Sequence, residues 1–103
     1  MHISILQYDI TWEDKDASQS TMDAMLKASP PAQGGLLLLP ELGDVGFSFR
    51  VDRISDERSL EWARSTAIQY RCWVQHGYAE QDDDGRGLNT ASLVAPDGTL
   101  VGS

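Results

Sequence analysis

The sequence has no run of about 20 apolar residues, which excludes a bilayer-crossing helix of ordinary length. Its start, MHISILQYDITWEDK, also lacks the basic segment, long apolar run and small-residue cleavage site of a secretory leader, so a cytoplasmic protein is expected. Cysteine occurs once, as Cys72, which rules out an internal disulfide and fits a reducing compartment. Basic residues are scarce, eight against sixteen acidic ones, for a formal charge of -8. Such a chain repels nucleic-acid phosphates and anionic lipid at long range, and neither is an expected partner. No internal repeat, low-complexity tract or linker interrupts it.

What is present is the balance of one globular domain: 103 residues, 41% hydrophobic and 23% charged. The acids are dispersed apart from Asp82, Asp83 and Asp84, the pattern of a solubilising surface. Residues Ile3 to Tyr8 read as a short strand. From about Ser18 to Ala28, Met22, Met25 and Leu26 recur at helical spacing until Pro30 and Pro31 stop the helix. Gly34 and Gly35 then release the chain into Leu36 to Leu39, an apolar run without alternation that reads as a strand buried on both faces. A second helix is expected over about Asp56 to Arg71, with Leu60, Ala63, Ala67 and Tyr70 on one stripe. Cys72 to Tyr78 and Leu88 to Ala95 read as strands of a hairpin around the polar run Glu80 to Gly87. Pro96, Asp97 and Gly98 turn the chain into a fifth strand from Thr99 to Val101. The order is that of a mixed α/β layer structure.

Glu41 is the candidate for chemistry. Pro40 and Glu41 end the leucine strand, which puts a carboxylate at a strand's carboxyl edge, where open α/β sheets bind ligands. On that spacing alone, Glu41 reads more readily as the first solvated residue after a buried strand.

The segment LLLLPELGDVGFSF resembles that of the nitrilase superfamily of carbon-nitrogen hydrolases, in which a leucine-rich strand leads to Pro-Glu and then to Gly and an aromatic, here Pro40, Glu41, Gly46 and Phe47. Gln7 is similar to the glutamine of the family's first strand, and Trp12, Asp14 and Ala17 to the approach to its first helix. Cys72 to Gly77, then Asn89, Pro96 and Gly98, resemble the later strand and the Tyr-Asn, Pro-x-Gly hairpin. The matches keep their order over nearly the whole chain, and GFSF looks most like the omega-amidase branch.

The resemblance implies that residues 1–103 are a partial carbon-nitrogen hydrolase domain, the N-terminal half of a four-layer α-β-β-α sandwich. It also implies a Glu-Lys-Cys triad acting on a small amide of a carboxylic acid, with no metal and no organic cofactor. The thiolate attacks the amide carbon, the glutamate moves the proton, and the lysine stabilises the tetrahedral intermediate. Only Glu41 matches; Lys15 and Lys27 fall in the loop before the first helix and on its polar side, and the matching lysine and cysteine are expected beyond Ser103. The chain alone is therefore expected to be inactive. In a partly dry cleft a carboxylate can serve as base and then acid. Family members pair, so a homo-oligomer is implied too. Two departures stand out: Ser18 replaces an asparagine at the first helix, where it could still cap, and Asp44-Val45 replaces small or polar loop residues.

Two other features suggest chemistry and fail on spacing. Cys72 and His76 would share a strand face but lie roughly 13 Å apart at about 3.3 Å per residue, so Cys72 reads as a buried structural thiol. Glu80, Asp82, Asp84 and Gly85 mimic the start of a calcium loop, but Ala91 stands where its bidentate glutamate belongs. The rival to an enzyme is a non-catalytic binding or assembly module, or a remnant of a broken gene. Half of a four-layer sandwich leaves sheet edges and apolar faces uncovered, which must pair or aggregate.

Overall fold

Among the described residues five strands form one mixed sheet in sequential order: β1 (Ile3–Ile5), β2 (Leu36–Leu38), β3 (Trp73–Gln81), β4 (Gly87–Val94) and β5 (Leu100–Gly102). The computed structural model describes residues 1–46, 48, 50 and 54–103. Phe47 and Phe49, part of the GFSF match, lie outside the described residues. β1, β2 and β3 run parallel, in the register Ile3–Leu36–Trp73 and Ile5–Leu38–Gln75. β3 pairs antiparallel with β4, and β4 with β5. The parallel steps need crossovers, which α1 (Lys15–Ala28) and α2 (Arg58–Tyr70) supply.

Both helices pack on the same side of the sheet. α1 buries Met22 and Leu26, while α2 buries Trp62, Ala63 and Ala67, and these meet Leu37, Val74 and Val94 in one core. Alternation along β3 sends Val74, His76 and Tyr78 to this helical side and Trp73, Gln75 and Gly77 to the other. The other side carries no helix among the described residues. Ile3 and Ile5 are 59% and 74% exposed there, and Leu36, Leu38, Trp73 and Leu93 are half-buried. The leucine run is thus sealed on one face only: Leu37 and Leu39 are buried, but Leu36 and Leu38 are not fully covered. Its lack of alternation reflects two apolar faces, one of which meets no covering layer among the described residues.

Four further expectations are corrected. α1 begins earlier than the apolar spacing suggests, because Asp14 caps it, accepting the Ala17 N–H at 3.0 Å. Ser18 lies inside the helix, where its hydroxyl instead bonds the Thr11 carbonyl at 3.1 Å. Lys15 is not in a loop: it opens α1, is buried, and pairs with Asp56 Oδ1 at 2.9 Å. β3 runs on to Gln81 rather than ending at Tyr78, since its ladder with β4 continues to the Gln81–Gly87 pair.

Candidate active site

The strand carrying Glu41 ends for a local reason. Leu39 still donates its N–H to the Gln75 carbonyl at 3.0 Å, but Pro40 has no N–H to continue. Residues 41–45 then form a tight turn beside β3, and Gly43 N–H bonds the Gly77 carbonyl at 3.0 Å. Leu42 takes a left-handed conformation, φ 50°, which costs a side-chain-bearing residue on the order of 1–3 kcal/mol and is held by the contacts around it. Gly77 lets the turn come this close. A Cβ there would sit 2.9 Å from Glu41 Cα and 3.2 Å from the Pro40 carbonyl oxygen.

The Glu41 carboxylate accepts a hydrogen bond from the Asn89 amide of β4. Asn89 pairs with Ala79, two residues along β3 from Gly77, so it stands on the same sheet face as the turn. Glu41 is exposed here, not set in the partly dry cleft expected of it. The open sheet face explains this, because nothing described packs over the carboxylate.

Beneath the turn lies a cluster that sequence reading missed. Asp44 is fully buried, accepts the Ser59 hydroxyl at 2.6 Å and the Gln19 amide at 3.3 Å, and approaches His76 Nε2 at 3.5 Å. His76 is also fully buried, between the rings of Trp62 and Tyr78. Burial alone would raise the Asp44 carboxyl, but His76, the Ser59 hydroxyl and the charge of Lys15 hold it below the ordinary carboxylate value. Tyr8 donates to the Gly43 carbonyl, and its phenol is pushed up, first by burial and then by the Asp44 charge. The only sequence signal was an acid set among turn and core types in LGDVG, which periodicity does not rank.

The decoys are placed as expected. Cys72 is buried just before β3 and its thiol is pushed up by that burial, opposite to an activated nucleophile. Asp82 and Asp84 are engaged by Arg86 across the hairpin tip. Among the described residues no group of three or more His, Cys, Asp or Glu could hold a metal ion, and no helix is long and apolar enough to cross a membrane.

The sequence model of the carbon-nitrogen hydrolase family matches residues 2–103. The chain belongs to that family. This carbon-nitrogen hydrolase segment is 29% identical over 90 residues to a protein N-terminal amidase of Saccharomyces cerevisiae, covering 80% of the chain and 20% of the relative. A crystal structure of an N-terminal amidase superposes with TM-score 0.83 at 21% identity, over 97% of this chain and 26% of that one. A CN-hydrolase superfamily protein from Xanthomonas campestris gives TM-score 0.81 at 25% identity, over 97% and 39%. The fold is thus that of part of a carbon-nitrogen hydrolase. The segment spans about a fifth to a quarter of the N-terminal amidases it matches.

Proposed function

We propose that the protein carrying this segment hydrolyses a carboxamide and that Glu41 is its acid-base group. The observation that supports this is the placement of Glu41, held by Asn89 at the exit of β2 over the open sheet face. A second layer of protein on that face would bury the carboxylate and turn an exposed acid into a cleft residue. Following the family resemblance, Glu41 takes the proton of a cysteine thiol, whose thiolate attacks the amide carbon. A lysine steadies the oxyanion, Glu41 returns the proton to departing ammonia, and water then hydrolyses the thioester with Glu41 again as base. The cysteine and lysine come from outside these residues, so the 103-residue chain by itself turns nothing over.

The finer branch is a matter of substrate. The omega-amidase reading takes a small amide that also bears a carboxylate, whereas the N-terminal amidases include structures with Asn-Glu and Gln-Val peptides. The named relatives favour the second. We expect no metal or organic cofactor, a cytoplasmic location and self-association.

The test is ammonia release by the full-length protein. Amides of free acids and peptides with N-terminal Asn or Gln are compared, and Glu41→Gln is expected to lower turnover roughly 10²- to 10⁴-fold. Near-normal turnover in that variant would sink the proposal. A second reading, an assembly module, has the exposed Ile3 and Ile5 face in its favour. A cooperative melt of the isolated chain as a micromolar monomer would support it.

A further inference from the structure

Burying a carboxylate in a surface turn is costly unless its charge is paired and its oxygens are bonded. Here the acid is Asp44, in the same turn as Glu41, and its partners come from three separate elements: Ser59 of α2, Gln19 of α1 and His76 of β3. Its other oxygen and both ring nitrogens of His76 find no hydrogen-bond partner among the described residues, so the hydrogen bonds that hold this carboxylate are those of Ser59 and Gln19, with His76 packed beside it at 3.5 Å.

We propose that Asp44 is a positioning residue for Glu41, fixing the 41–45 turn against α2 and β3 so that the Glu41 carboxylate meets Asn89. This rests on the reading of Glu41 as the acid-base group. The turn has two opposed anchors. On the sheet side Gly43 N–H is bonded to Gly77, and on the helical side Tyr8 holds the Gly43 carbonyl while Ser59 and Gln19 hold Asp44 against His76. Between them Leu42 must stay at φ 50°, a conformation that relaxes if either anchor is released. Relaxation moves the adjacent Glu41. His76 and Gly77 are neighbours in β3, so one strand supplies both the partner of Asp44 and the gap under Glu41.

The experiment uses the full-length protein with Asp44→Asn and Ser59→Ala, at a temperature well below melting. Two quantities are read: kcat and KM for the carboxamide, and the side-chain amide resonances of Asn89 without substrate. Asp44→Asn is expected to lower kcat about 10- to 100-fold with KM nearly unchanged, and to shift the Asn89 resonances, because a displacement near 1 Å costs this much. Ser59→Ala removes one hydroxyl and is expected to do the same to a smaller degree, which keeps the test decisive if Asp44→Asn fails to fold. Wild-type kcat with unmoved Asn89 resonances in a folded variant overturns the proposal. If the unaltered protein releases no ammonia, the functional reading fails, and the Asn89 resonances alone still decide whether Asp44 positions Glu41.

Discussion

Asn89 and Glu41 are 48 residues apart in the chain and hydrogen-bonded in the fold, the amide of one strand holding the carboxylate that leaves another. Asn89 can reach Glu41 because β3 lies between their strands and presents only a hydrogen at Gly77. The hydrogen bond orients the carboxylate without neutralising it, as the acid-base role proposed for Glu41 requires.

Removing that donor leaves the carboxylate free to rotate. A hydrogen bond to a charged group contributes about 1.5–3 kcal/mol, so Asn89→Ala is expected to lower kcat roughly 10- to 100-fold. KM should change little, and steady-state kinetics on the full-length protein separate the two. An unchanged kcat would mean that Asn89 only fills space.

Gly77→Ala tests the approach itself. The new Cβ meets backbone, Glu41 Cα at 2.9 Å and Leu42 N at 3.2 Å, and neither can swing aside as a flexible side chain would. The expected result is a destabilisation of about 1–3 kcal/mol by urea titration, with a fall in kcat larger than that of Asn89→Ala. Gly102→Ala is the control, since its Cβ would meet nothing within 4 Å.

How much of this the sequence carried follows from the range of each interaction. Strand and helix identities were legible because periodicity and breakers are local: the four leucines, the two prolines after α1 and the Asp97-Gly98 turn each mark their element within a few residues. Glu41 at the end of β2 was legible for the same reason. Asp44, Ser59 and His76 come from three distant elements, and no spacing rule joins them. Lys15 read as a loop residue because the apolar spacing of the helix starts after it, and its burial is explained by its partner Asp56, far along the chain.

Cys72 should be silent in catalysis. Its thiol is fully buried and raised by that burial, so alkylation followed by peptide mapping is expected to leave it unmodified until the protein unfolds. Cys72→Ala should keep kcat within about twofold while costing about 1 kcal/mol of stability, the loss of a small buried group. Rapid labelling of native Cys72 would contradict the structure.

The Lys15–Asp56 pair makes stability depend on acid pH. Burial by itself would raise Asp56, but hydrogen bonds from Arg58 and Lys15 bring it down to about 2 in the folded chain. An unfolded aspartate titrates near 3.9, so the unfolded state takes up the proton first as pH falls. The contribution is whole above about pH 4 and drains away as pH falls toward 2. Asp44, also held below its ordinary value, acts with the same sign. Urea titrations of the protein from pH 6 to pH 2 should therefore show falling stability in that window, and Asp56→Asn should flatten part of the fall. At neutral pH the same substitution leaves the buried Lys15 ammonium with a weaker partner, at an expected cost of about 1–3 kcal/mol. Identical acid profiles for the variant and the unaltered protein would show that Lys15 is held by something other than this carboxylate.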